Sequence, residues 1–154
     1  MIKLYIGCSL THAPEEFTDM VENLKVLLRK EYEVLDFLGL EKDSPTSTPT
    51  DVYKWDIQKC VSMCDMFVSI CDCPSIGLGY EMATALEKYS KPILGLAMEK
   101  SKVSRLVIGI DHPMYAFKYY KTQEDIIALI KEKELKHFKP IISPEVCETD
   151  VCAV

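Results

Sequence analysis

The sequence predicts a three-layer α/β fold, a five-stranded parallel sheet in the order 2-1-3-4-5 between two layers of helices. Three observations carry this. Five short runs rich in β-branched and aromatic residues alternate with stretches of helical periodicity, the pattern of a parallel sheet with right-handed crossovers. The third run, DMFVSICD (Asp65–Asp72), is apolar enough to be buried on both faces. The 154 residues suit one domain, which at this size buries roughly 70% of the surface its unfolded chain exposes.

The elements follow in order. IKLYIG (Ile2–Gly7) is the first strand. PEEFTDMVENLKVLLRKE places Phe17, Met20, Val21, Leu24, Leu27 and Leu28 on one helical face, with Pro14 near its start. YEVLDFLG is the second strand, and the Ser-, Thr- and Pro-rich Glu41–Thr50 a loop. A helix then runs from about Asp51 to Cys64, capped by Thr50 or Asp51. DMFVSICD is followed by the turn CPSIGLGYE and a helix starting near Gly79 and reaching about Tyr89. KPILGLAM is the fourth strand, with Pro92 at its tolerant first position. Ser101–Gly109 reads as a short helix or turn, MYAFKYY as the fifth strand and TQEDIIALIKEKEL as a last helix capped by Thr122. One domain thus spans 1–136, and 137–154 form a C-terminal arm.

Composition narrows the function. The net charge of −6 argues against gripping a nucleic-acid polymer, although backbone N–H groups can still hold one small anion. No stretch approaches the ~20 apolar residues of a membrane span, and MIKLYIGCSL reads as a strand rather than a leader. The seven cysteines are Cys8, Cys60, Cys64, Cys71, Cys73, Cys147 and Cys152. An odd count without a leader implies reduced thiols and a cytoplasmic protein. Neither Cys60/Cys64 nor Cys71/Cys73 has the C-x-x-C spacing of a zinc or redox motif, so no metal and no cofactor is expected.

In the expected strand order, ligands bind beyond the C-terminal strand ends, where the chain reverses direction between strands one and three. Two loops face that crevice, GCSLTHAP and CPSIGLGYE. The second is not a dinucleotide fingerprint, because Met82 stands where the third glycine belongs. No Walker sequence is present either. Glu81 falls just inside the expected helix, where the helix dipole favours a carboxylate by ~0.3–1 kcal/mol. A capping box would need Ser or Thr at 78, and Leu78 is there instead. The residues alone leave a structural and a reactive Glu81 equally open. Tyr5, on the neighbouring strand, can donate a hydrogen bond to it or serve as a core aromatic. Asp51, Asp56, Asp65 and Asp72 all lie upstream as possible second carboxylates, and position does not choose among them.

LYIGCS, WDIQKCVSMCDMFVSICD and PSIGLGYEMATALEKYSKPIL together resemble the nucleoside 2-deoxyribosyltransferase superfamily, and most the branch of 2′-deoxynucleoside 5′-phosphate N-hydrolases, which share a P-S-[LI]-G-[LV]-G-Y-E block. The resemblance covers roughly Ile2 to Ala128. It implies a flavodoxin-like (Rossmann-like) fold and a homodimer or larger assembly with shared active sites. It also implies cleavage of the N-glycosidic bond of a 2′-deoxynucleoside or its 5′-monophosphate. Carried over, Glu81 is the nucleophile on C1′, Tyr5 orients it and Asp56 is the general acid/base. Gly7, Cys8, Ser9, Ser75, Gly77 and Gly79 are the substrate-binding positions, with Ser75 a phosphate contact. Ser104 corresponds to a serine that reaches the neighbouring subunit's ligand.

The chain also departs from that pattern. Cys8-Ser9-Leu10-Thr11 replaces a G-S-I-R run, and Leu38 stands at a histidine position. The stretch from Asp56 to Asp65 is one residue longer than usual. Without the arginine the 5′-phosphate grip is weakened, with Arg105 a substitute from the partner subunit, and the unphosphorylated deoxynucleoside is expected to be handled about as well as its 5′-monophosphate, or better. Hydrolase and transferase share their first half-reaction and are not separated by these residues. The alternative is a catalytically weak nucleotide-binding or sensing module on the same fold.

Overall fold

The computed structural model describes residues 1–39 and 45–138. Residues 41–44 of the expected 41–50 loop and 139–154 of the expected 137–154 arm lie outside the described residues. The elements are β1 (Lys3–Cys8), α1 (Glu15–Leu28), β2 (Glu33–Leu35), α2 (Pro49–Tyr53), β3 (Met66–Ile70), α3 (Ile76–Ala83), β4 (Ile93–Met98), α4 (Arg105–Ile108), β5 (Tyr115–Tyr120) and α5 (Gln123–Phe138). Two of the helices widen as they proceed. α2 continues as a π-helical segment over Lys54–Val61, and α3 as another over Thr84–Lys88.

All strand pairings are parallel, and the order is β2-β1-β3-β4-β5, as the sequence predicts. Strand alternation sorts the core into two layers. Leu4, Ile6, Met66, Val68, Leu94 and Leu96 pack on one face, against Val21 and Leu24 of α1 and Ile126 and Ile130 of α5. Tyr5, Phe67, Ile93 and Ala97 pack on the other, against Ile57 and Val61 of the first π-helical segment and Leu78 and Met82 of α3. Tyr5 is opposite Phe67, and Gly7 opposite Ser69, so the two crevice loops leave adjacent strand ends.

Several boundaries differ from expectation. α2 is capped by Thr48 rather than Thr50 or Asp51: Asp51 N–H donates to Thr48 Oγ1, Thr48 N–H donates back to Asp51 Oδ2, and Pro49 occupies the first helical position. Thr50 is therefore helical rather than part of the loop. α3 begins at Ile76, not near Gly79, because Ser75 caps it by accepting the Leu78 N–H at 3.2 Å. β2 keeps only three residues of YEVLDFLG, because it pairs only with Lys3, Leu4 and Tyr5 of β1. α5 runs to Phe138, two residues past the expected domain limit.

Candidate active site

The site starts from one row of the sheet. Gly7 is packed so closely that an added Cβ would stand 2.6 Å from the Phe67 ring and 3.0 Å from Glu81 Oε2. The missing side chain lets the α3 carboxylate come down onto the end of β1. There the fully buried Tyr5 donates its hydroxyl to Glu81 Oε1 at 3.1 Å. Phe67 backs the tyrosine, with ring centroids 5.1 Å apart. Burial first, and then the charges of Glu81 and Asp56, push the Tyr5 pKa well above its usual value, so its proton stays in place to be donated.

Glu81 lies in the second turn of α3, six residues after the Ser75 cap. The dipole argument made for a first-turn carboxylate therefore does not hold. The residue is half-buried as a whole, but its carboxylate is deep. Burial, and next the charge of Asp56, push its pKa up to about 8, against a smaller downward pull from the Tyr5 bond.

Asp56 is only 8% exposed. Its Oδ1 accepts the Leu38 N–H at 2.8 Å. Two further bonds tie the same segments together, Trp55 Nε1–H to Asp36 O at 2.8 Å and Cys60 S–H to Asp36 O at 3.3 Å. Each π-helical hydrogen bond spans one more residue than in an α-helix, and such segments often occur at functional sites. Burial raises the Asp56 pKa, while the Leu38 bond and then Lys25 lower it. Those two influences favour its charged form, so Asp56 gives up its proton first and the repulsion falls on Glu81.

A cavity of about 740 Å³ opens along α3 and the loop after β1. Leu78, Gly79 and Met82 form part of its wall, but the Glu81 and Asp56 carboxylates do not. Five of the expected binding residues line it: Ser9, Ser75, Gly77, Gly79 and Ser104. Ser9 ties the two crevice loops together by donating to Pro74 O at 3.3 Å. A Cβ at Gly79 would meet nothing within 4 Å, as fits open space. Ser104 reaches the same cavity as Ser75 within one chain.

Cys8 is set apart from both groups. Its side chain is buried in the core on the α1 and α5 side, and burial pushes its thiol up to about 12, so only its backbone is available to a ligand. The sequence reading missed Lys102, His12, Cys71 and Cys73, which line the cavity, whereas Arg105 does not. His12 follows Thr11 in the expected crevice loop, and Lys102 precedes Ser104 by two residues; that closeness was the available signal.

The fold resembles the solved structure of the Clostridium botulinum CMP N-glycosidase BcmB, with a TM-score of 0.59 over 84% of this chain and 98% of that one. The identity is 19%, so the likeness is one of fold. No protein-family model and no curated protein matches the sequence. Among the described residues, no helix is long and apolar enough to cross a membrane.

Proposed function

We propose that this protein cleaves the N-glycosidic bond of a 2′-deoxynucleoside or its 5′-monophosphate through a covalent deoxyribosyl ester on Glu81. The observation that carries the reading is the Tyr5–Glu81 hydrogen bond, buried beside Asp56 at the β1/β3 switch point. The description of the structural neighbour as a CMP N-glycosidase adds support.

The proposed step needs one proton on the carboxylate pair, held by Asp56, and one negative charge on Glu81. Glu81 attacks C1′, the bond from C1′ to the base breaks, and the Asp56 proton goes to the departing base. Tyr5 holds Oε1 and leaves Oε2 for attack. Water then releases the sugar, giving a hydrolase, or a second base takes it, giving a transferase. Asp56 serves as the base in that second half.

The test is a panel of deoxynucleosides, ribonucleosides and their 5′-monophosphates, incubated with and without an acceptor base. Free base should appear with wild type and not with Glu81→Gln, and a deoxyribosyl mass should be found on the Glu81 peptide. Absence of base release across the panel would overturn the reading.

One observation favours the second reading, a binding module with weak turnover. With its pKa near 8, Glu81 is mostly protonated at neutral pH in the free protein. Tight nucleotide binding without base release would select that alternative.

The assembly proposed is a homodimer. Ile76 and Tyr80, one turn apart on α3, and Leu106 on α4 are exposed apolar residues on two helices that border the cavity.

A further inference from the structure

The buried face of α1 consists of Val21, Leu24, Lys25 and Leu28. Helical periodicity calls for an aliphatic residue at 25, yet a lysine stands there with 1% of its surface exposed. Taking an ammonium out of water is costly unless it is paired. Three groups receive it. Glu22 Oε1 is 2.8 Å away on the same helix, Asp36 Oδ1 is 3.6 Å away, and the centre of the Phe37 ring lies 3.7 Å from Nζ. Two of the three belong to one short strap, Asp36–Leu38, which follows β2 and has no sheet ladder of its own, because β2 ends at Leu35. The backbone of that strap reaches the candidate active site. Leu38 N–H donates to Asp56 Oδ1 at 2.8 Å, and Asp36 O accepts from Trp55 and Cys60, on the segment that carries Asp56. The strap thus links Lys25, through the side chains of Asp36 and Phe37, to Asp56, through its backbone.

We propose that Lys25 is a positioning residue for Asp56, gripping the Asp36–Leu38 strap from the core side so that the Leu38 N–H stays on the Asp56 carboxylate. Asp56 as general acid rests on the N-glycosidase reading, but the grip on the strap does not. The groups that meet Asp56 are Glu81 from α3, Tyr5 from β1, Cys60 from its own segment, Leu38 N–H from the strap and Lys25 from α1. Lys25 is the cation of that set and favours the charged carboxylate. Its own anionic neighbours are Glu22 and Asp36, with the Cys8 thiol of β1 within reach of its field. Stability alone does not call for a lysine here, because replacing a buried ion pair by an apolar residue of similar volume is often neutral or stabilising.

The experiment is NMR on the isotope-labelled protein, comparing wild type with Lys25→Met, Lys25→Gln, Lys25→Arg and Arg29→Met. Asp56→Asn assigns the Asp56 carboxyl signal. Two quantities are read, the pH midpoint of Asp56 and the hydrogen exchange of Leu38 N–H. Val68 N–H, in a buried strand paired on both sides, reports global stability. Lys25→Met and Lys25→Gln should raise the Asp56 midpoint by about half a pH unit or more, since a cation favours the charged carboxylate. Leu38 exchange should quicken about tenfold or more relative to Val68, as local opening does when a tether is lost. Lys25→Arg should keep both near wild type. Arg29→Met should do the same, because Arg29 meets Asp36 on its exposed side, where an ion pair contributes little.

A Leu38 exchange ratio unchanged in both neutral variants would overturn the proposal, even with the midpoint moved, because that is a charge effect without a grip on the strap. Arg29→Met moving both quantities as far as Lys25→Met would overturn it as well. Failure of both neutral variants to fold would show that Lys25 holds the core rather than the strap, with the same consequence. The two readings fail separately. Neither measurement needs turnover, so a Lys25-dependent strap without base release in the wild-type protein would remove the N-glycosidase reading and keep this one. Base release with an unmoved Leu38 would do the reverse.

Discussion

Tyr5 Oη stands 3.1 Å from Glu81 Oε1, a bond joining residues 76 positions apart, from a strand to the second turn of a helix. The phenol keeps its proton, and the carboxylate accepts the hydrogen bond it makes. The pairing fixes which oxygen of Glu81 is occupied and which faces Gly7, where an added Cβ would lie 3.0 Å from Oε2.

Tyr5→Phe is expected to lower kcat by about tenfold to a hundredfold, the equivalent of one hydrogen bond to a charged group at ~1.5–3 kcal/mol. KM should change little, since Tyr5 does not line the cavity. Steady-state kinetics on whichever substrate the panel identifies checks this, and a kcat within twofold of wild type would remove Tyr5 from the mechanism.

Glu81→Gln is expected to abolish turnover and to stabilise the protein at alkaline pH. Glu81 is raised from 4.5 to about 8 on folding, so the folded state holds its proton more tightly. Wild-type stability from this group is complete below about 4.5 and is lost as pH rises through about 8. Glutamine has no such loss. The variant should therefore gain on wild type between pH 5 and 9, by at most ~5 kcal/mol at 1.36 kcal/mol per pKa unit. Urea unfolding at pH 5, 7 and 9 measures it, and a gap that does not widen with pH would contradict the burial of Glu81.

Much of this arrangement was legible in the sequence. Alternating runs gave the strand order, and the order placed Tyr5 beside the strand that leads to Glu81. What was not legible depended on where helices start and what side chains bury. Counting back from Glu81 for a cap missed Ser75, because the capping bond goes to Leu78 and leaves Glu81 a turn further on. Helical periodicity cannot reveal that a helix widens to a π-helix, so position did not single out Asp56 among the upstream aspartates, although Leu38 and the Trp55–Asp36 tie cover it. Lys102 and His12 sit on loops, whose positions in space carry no periodic signal at all.

Gly7→Ala is expected to destabilise the protein by ~1–3 kcal/mol, the usual cost of overpacking a filled core. The added Cβ meets two Phe67 ring atoms at 2.6 and 2.8 Å, and that ring is fully buried against Tyr5. Activity should fall by more than stability implies, because the strain reaches both Tyr5 and Glu81. Thermal unfolding and kcat compared on the same sample decide this; a variant as stable and active as wild type would show that the packing there is loose.

A dimer is expected in solution, with Leu106→Glu, at a residue outside the cavity lining, shifting it toward monomer. Leu106 is 80% exposed and Ile76 96%, and exposed apolar residues grouped on neighbouring helices suit a protein contact. Because Ser104 lines the cavity of its own chain, the monomeric variant should keep part of its activity rather than lose it all. Sedimentation velocity on wild type and variant reads the assembly state, and a monomeric wild type would remove the dimer.

The pH profile tests the carboxylate pair most directly. Productive chemistry needs one proton shared by Asp56 and Glu81, on the aspartate, with the glutamate charged. In the free protein the proton rests mainly on Glu81, and the productive form is the tautomer of the same net charge. Activity therefore follows the singly protonated pair. It rises as Asp56 loses its proton, above the ordinary aspartate range because burial raises that pKa. It falls as the pair loses its last proton near pH 8. The profile of kcat/KM should be a bell with its alkaline limb near 8. Removing the Tyr5 hydroxyl withdraws the one influence that lowers the Glu81 pKa, so in Tyr5→Phe the alkaline limb should move to higher pH while the acid limb stays. A nucleophile acting independently of Asp56 would instead give activity that climbs through pH 8 to a plateau. That outcome would separate the two carboxylates and end the shared-proton mechanism.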